Sequence, residues 1–538
     1  METTDVLIVG AGPVGLQLAL ELQRRGVGWI AVDRRESPEY YCKALGVTPR
    51  TQEIWDQCGI VDDAHRRGAF LAGIESSVDQ GPRTRDTIRD GDDLPYGFLS
   101  LAQYDTEEIL RAHLARHGGA VRQGMQLVTF APESDGVVCE LQGAGGGKRS
   151  IRARWVVGCD GAHSTVRRGL DIEYEGEAYA MTFMLGDVRL DWDRDHQFGQ
   201  RITHLEDGAL RNVLVCIPIP GDRRRWRVSL MAPLELQSDD ADLSAPPTLD
   251  VLRAEVLPIL PPGTTISDLR WSSYYRISHR IASRYASGRC FLAGDAAHIH
   301  PPIGGQGMNT GLQDAHGLAW RLALAATGRA GDGLLDGYAE ERRPVGLDVV
   351  QRTTRRMDRE VVAGDSKFDQ WREDSQLFIT YRDSRWVAED VAAAGALARG
   401  PQPGDRAPEA TGLRAPWTGH PIRLSERMRV PGHLLLLWFD DDATPDDFSA
   451  AAALVDQLAR RWGDALTVDA IVAPGARVVD HERCPLLRDA DGTFRRAYDA
   501  RGCCLYLLRP DRHVAFRADR HDGAALERYL ARILVPVR

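Results

Sequence analysis

The hexad Gly10-Ala-Gly12-Pro-Val-Gly15 constrains this chain more than any other stretch. It follows a short apolar run, Asp5 to Val9, with the period and length of a buried parallel strand. It opens a segment in which Val14, Leu18 and Leu22 recur every four positions, so a helix is predicted from Pro13 to Arg25. A second strand is expected at Trp29–Asp33. Strand, glycine turn, helix and strand in this order form a dinucleotide-binding unit. Gly10 permits the tight turn, Gly12 lets backbone approach a pyrophosphate, and Gly15 brings helix and strand together. The pyrophosphate would lie on the helix N-terminus, whose free N–H groups attract an anion. Asp33 ends the second strand, where a carboxylate can accept hydrogen bonds from a ribose. The motif leaves FAD and NAD equally open.

Further helices are expected at Thr48–Gln57 and Thr106–Arg116, with short strands and loops over 73–102 between them. From 176 to 275 helical periodicity nearly vanishes and strand-like runs take over, at Met181–Leu190, Asn212–Ile217 and Trp226–Ala232. This is an all-strand insertion within an α/β chain. Strand character returns at Cys290–Ala293, and a helix follows from about Gly307 to Thr327. A helix-rich bridge is expected over 335–390 and a Pro-, Gly- and Ala-rich linker over 394–421. An independent α/β pattern comes next: strands at Leu434–Phe439 and Leu466–Val472, a helix from Thr444-Pro445 to Trp462, a hairpin across 509–513, and a last helix from Gly523. The divisions are therefore 1–175 and 276–345 for the nucleotide unit, 176–275 for the inserted sheet, 346–400 for the bridge and 401–538 for the final unit. On this pattern, a chain cut at 401 is expected to keep its nucleotide site.

The 538 residues carry a formal charge of -10, which disfavours nucleic acid as a partner because phosphate binding needs a basic surface. The cysteines are scattered and no CxxC occurs, so neither a dithiol centre nor a zinc site is indicated. With no signal-like start and no apolar stretch near the ~20 residues of a membrane helix, the expectation is a cytoplasmic chain with no membrane contact.

Two distant segments carry the next step: Gly158-Cys-Asp160-Gly161-Ala-His-Ser164 with Arg167, and Gly294-Asp295-Ala-Ala-His298 leading into Pro301-Pro302-Ile-Gly304-Gly305-Gln-Gly307-Met308-Asn309. Together with the glycine hexad, Leu335-Asp-Gly-Tyr338 and Glu341-Arg-Arg-Pro344, they resemble the FAD-dependent aromatic hydroxylases of the para-hydroxybenzoate hydroxylase family over residues 1 to about 345. The resemblance implies a Rossmann-like FAD-binding domain with an inserted β-sheet substrate domain. It implies FAD contacts from Asp33 and Arg34 near the adenosine ribose, Asp160 near the pyrophosphate and Asp295 on the ribityl chain. Gln103, Leu127 and the Gly307–Met308–Asn309 turn are implied flavin neighbours as well. Pro302 and Gly304 are implied on the substrate side. Lys43 stands where the family usually has arginine, exchanging a flat two-pronged donor for a point charge. Residues 401–538 resemble the thioredoxin-like appendage of phenol and aromatic-polyketide hydroxylases, here without CxxC, for which a structural or dimer-contacting role is expected.

The activity implied is monooxygenation of a phenolic or polycyclic aromatic, with NADPH or NADH as reductant and O2 as oxidant, through a flavin C4a-hydroperoxide. Three rivals are weighed. A flavin halogenase would carry a WxWxIP segment, which is absent. A membrane epoxidase would need an anchor. A non-catalytic FAD protein that sequesters an aromatic compound stays open. Asp295, His298 and His300 invite a metal reading, but no fourth ligand is spaced nearby.

Overall fold

The parallel ladder expected around the glycine hexad forms the centre of a twisted sheet. In the computed structural model, which describes residues 1–38, 42–88, 95–238, 240–359, 371–477 and 485–537, strand β1 (Glu2–Val9) lies between β2 (Trp29–Val32) and Lys148–Gly158, both parallel to it. Cys290–Leu292 adds a further parallel strand beside Lys148–Gly158. Helix α1 (Pro13–Arg24) begins with proline in its first turn and packs on the Gln306–Ala326 helix. Val6, Leu7 and Ile8 between them are fully buried. A chain whose central strand is buried on both faces needs this uninterrupted apolar run.

The inserted sheet has eight strands in the order His298–Ile299, Thr265–Ala282, Tyr174–Asp191, Arg225–Met231, Ala209–Pro218, Phe198–Glu206, Gly73–Val78 and Thr84–Thr87. Two long strands, Tyr174–Asp191 and Thr265–Ala282, carry the chain out of the first unit and back. The sheet also draws in Gly73–Val78, which pairs parallel with Phe198–Glu206. That strand falls within the 73–102 stretch, and its partner lies too far along the chain for local pattern to reveal the pairing. Alternation is clear in Ala209–Pro218: Leu214 and Cys216 face a core against helix Leu249–Val256, while Val213, Val215 and Ile217 face the other way.

The Asp336–Met357 helix follows, with Pro344 inside it. Part of the expected bridge, 360–370, lies outside the described residues. Beyond Trp371–Asp374 the chain is mainly turns up to Ala388–Asp390, which is a strand and not a helix, and which joins the final sheet beside Val514–Ala518. The stretch 394–421 is not a free linker. Ala407, Ala410 and Leu413 are buried in the final core, and Leu413–Arg414 is a strand of its sheet. Small residues there permit close packing, a use that composition cannot distinguish from looseness.

The final unit is an α/β layer with His433–Phe439 central, Leu466–Val472 parallel to it, and the Leu505–Leu508/Val514–Ala518 hairpin antiparallel. This is the thioredoxin-like order. The hairpin turn 509–513 is driven into the first unit. Arg509 donates to both oxygens of Glu341 at 2.8 and 2.7 Å. Asp511 accepts from Trp320 Nε1 at 3.0 Å. Arg406 and Arg512 converge on the buried Glu53. A buried charge left unpaired is costly, so these contacts bind the two units together.

Candidate active site

A cavity of ≈ 1480 Å³ is lined both by the glycine turn after β1 and by the inner face of the inserted sheet. Single ligand pockets run about 300–1,000 Å³, so it has room for an extended cofactor and a second molecule. Gly10, Gly12, Asp33, Arg34, Lys43, Gln103, Leu127, Asp160, Asp295, Pro302, Gly304, Gly307 and Met308 all line it. Gly15 and Asn309 stand behind its wall.

The glycines divide the work as their geometry requires. A side chain on Gly15 would meet the Gly10 carbonyl at 2.0 Å, so Gly15 permits helix and strand to touch. A side chain on Gly12 would meet nothing within 4 Å, because Gly12 faces the open groove. It is also the N-cap of α1, and no side chain caps that end. The first-turn N–H groups are thus available to an anion.

Asp33 is already engaged. Its oxygens accept from Ala11 N at 2.9 Å, Arg35 N at 2.9 Å and Arg35 Nε at 3.1 Å. Burial would raise its pKa, but these donors lower it, so it is a carboxylate at neutral pH. The neighbour that grips it is Arg35, while Arg34 is exposed at the cavity rim. Nothing in the order Asp33-Arg34-Arg35 distinguishes the two arginines beforehand.

Asp160 turns one oxygen to Thr165 N at 2.6 Å and Val166 N at 3.3 Å, capping the Thr165–Gly169 helix. Its other oxygen is buried with no protein partner among the described residues. Burial raises its pKa against the pull of Ser164 and those N–H groups. Asp295 is accessible from the cavity yet deep inside the protein. Its pKa is raised by that burial and partly restored by His298 and Lys43. Gln103 is a brace: its carbonyl accepts from the N–H groups of Lys43 and Ala44 at 3.1 Å, and its amide donates to Glu107 at 3.0 Å.

At the other end, Gly304 and Gly305 both take positive φ, 73° and 64°, a conformation open to glycine. They turn the chain into the helix that starts at Gln306, whose N-terminus has no side-chain cap. Asn309 fixes this turn from behind, accepting from Thr48 N at 3.0 Å and donating to Gly46 O at 2.9 Å and Gly305 O at 2.7 Å. His298 bonds Asp314 at 2.8 Å and His300 donates to Pro301 O at 2.9 Å. Both histidines also line the cavity, and among the described residues no group of three or more His, Cys, Asp or Glu is placed to hold a metal.

The sheet side contributes residues that sequence reading passed over. Arg227 and Asp187 form a buried pair at 2.8 and 2.9 Å across adjacent strands, and Arg227 also donates to Lys43 O at 3.3 Å. Burial opposes the charge on Arg227, but Asp187 keeps it protonated. The pair stitches the inserted sheet to the segment of Lys43. Arg227, Ser229 and Met231 alternate along one strand and all line the cavity. That period of two was the available signal.

An uncapped helix end beside an open glycine, a buried orphan carboxylate oxygen and a deep carboxylate reaching into the groove all fit FAD. These features define a flavoprotein with a second chamber beside its cofactor groove. Residues 3–353 match the FAD binding domain family, and the chain belongs to it, as a flavoprotein monooxygenase of the aromatic hydroxylase type that uses FAD and NAD(P)H. The 6-methylpretetramide 4-monooxygenase of Streptomyces rimosus is 33% identical over 97% of this chain and 92% of its own length. The pentachlorophenol 4-monooxygenase of Sphingobium chlorophenolicum is 30% identical over 98% and 96%. A crystal structure of aklavinone-11 hydroxylase with FAD and aklavinone superposes with a TM-score of 0.77 at 25% identity, covering 99% of each chain. Among the described residues, no helix is long and apolar enough to cross a membrane.

Proposed function

We propose that this enzyme hydroxylates a phenolic or polycyclic aromatic substrate, with NAD(P)H as reductant and O2 as the oxygen source. The observation that carries this reading is the continuity of the cavity from the glycine groove to an apolar sheet face. Relatives named for a pretetramide and for pentachlorophenol support a ring substrate. FAD, when bound, supplies the redox chemistry, accepting a hydride from NAD(P)H and delivering one atom of O2 to the ring.

The chain's own residues do the rest. Gly10, Gly12 and the α1 N-terminus would hold the pyrophosphate, Asp33 the adenosine ribose and Asp295 the ribityl hydroxyls. Asp160 would accept a bond near the pyrophosphate. The N-terminus of the Gln306–Ala326 helix, at Gly307 and Met308, would hold the ring end of the cofactor and offer it partial positive charge from free N–H groups. Phe183, Leu185, Val215 and Ile277 would seat the substrate's flat faces and exclude water. The 401–538 unit would serve as a brace through the 509–513 turn. The test is a panel of phenols and polycyclic hydroxy-aromatics added to FAD-loaded protein, with NAD(P)H oxidation followed by mass spectrometry. Stimulated oxidation with one added oxygen atom is expected. Oxidation that no aromatic stimulates would overturn the reading.

A further inference from the structure

Ser229 and Tyr275 sit on the two strands that flank Tyr174–Asp191, opposite Leu185 and Phe183 respectively. Their hydroxyls meet across that central strand at 3.0 Å, and both residues line the cavity. The wall around them is mainly apolar, with Phe183, Leu185, Val215 and Ile277 lining it beside Arg227 and Ser273. Tyr275 is fixed by stacking on Phe183, ring centroids 5.8 Å apart. Burial pushes its phenol pKa up, so it keeps its proton.

Hydrogen counting makes this pair informative. Two hydroxyls bring two protons, and the bond between them uses one. Among the described residues no acceptor is placed for the other O–H: Asp187, two residues beyond Leu185 in the sequence, is held by Arg227. A half-buried donor on this largely apolar wall is unfavourable until something accepts from it. We infer that the Ser229–Tyr275 pair is a specificity-determining site that donates a hydrogen bond to an acceptor oxygen, a ring carbonyl or its equivalent, on the edge of the aromatic substrate. This rests on the reading that the chamber holds that substrate, and it narrows the class to rings bearing oxygen away from the position attacked.

The test uses oxidised holoenzyme without nicotinamide and a matched pair of tricyclic probes, 9-fluorenone and fluorene, which differ by one carbonyl oxygen. Dissociation constants come from the change in the flavin visible spectrum. The double variant Ser229→Ala/Tyr275→Phe should bind fluorenone about tenfold more weakly, the worth of one hydrogen bond, with fluorene and FAD binding unchanged. Each single variant keeps one O–H and should keep part of the preference. Three results would overturn the inference: fluorenone binding untouched in the double variant, equal weakening of both probes, or neither probe binding wild type. Stimulated NAD(P)H oxidation by phenols is measured separately on wild type. An enzyme that hydroxylates without a carbonyl preference refutes the pair alone, and a carbonyl preference without turnover refutes only the hydroxylation reading.

Discussion

Replacing Arg509 by methionine should cost more stability than any surface change in this protein, although Arg509 lies in the last unit. Its guanidinium donates to both oxygens of Glu341, which also meets Arg321 and Ser384. Burial alone would raise the Glu341 pKa, yet Arg321 and Arg509 bring it down from an ordinary 4.5 to about 2. A depression of that size corresponds to roughly 3 kcal/mol. Breaking a buried pair from one side costs about 3–5 kcal/mol, and Arg321, which stays on Glu341, keeps the loss at the low end of that range. Arg509→Met keeps most of the stem and removes the charge, leaving Glu341 with Arg321 and Ser384 and Asp511 with less. The expected loss at pH 7 is about 3 kcal/mol, read by urea unfolding with far-UV dichroism and flavin release followed together. The sign with pH is set: a carboxyl depressed on folding stabilises above its unfolded pKa, and that stability drains as pH falls toward about 2. The gap between wild type and variant should therefore narrow steadily below about pH 5. A loss under about 1 kcal/mol, the scale of an exposed pair, or a gap that widens in acid, would refute the argument.

Gly15→Ala should lower the melting temperature and lose FAD together, because its Cβ has only 2.0 Å to the Gly10 carbonyl. Gly12→Ala should fold normally, since nothing lies within 4 Å of its Cβ, and should still lose FAD affinity; equal behaviour of the two variants in thermal unfolding and FAD titration would contradict the division of roles. Asp295→Ala should weaken FAD binding by about 1–3 kcal/mol, the cost of stranding buried hydroxyls, and unchanged affinity in a folded variant would remove it from the site.

What could be read beforehand was what depends on near neighbours. The hexad, the proline at the start of α1 and the Thr444 cap are settled within a few residues, and each appears where expected. Asp295 and Gly307 belong to one unbroken motif, and both line the cavity. Arg35, Arg227 and Arg509 could not be read in this way. An arginine shows no local trace of its partner, and Arg509 meets Glu341 across 168 positions. The partner of strand Gly73–Val78 was hidden likewise, because its pairing with Phe198–Glu206 is written in neither segment alone. Small residues misled at 394–421, where they serve close contact.

The Gln306–Ala326 helix meets the flavin groove at one end, and Trp320 and Arg321 on its later turns meet the 509–513 turn and its partner Glu341. A recombination experiment that exchanges everything after residue 400 with a relative would therefore cut through a lock while moving only half of it. Glu53, Trp320, Arg321 and Glu341 would stay behind; Arg406, Arg509, Asp511 and Arg512 would leave. Chimeras should survive where those two sets are inherited as a unit, and the crossover that respects this lies inside the network of partners and not at any boundary along the chain.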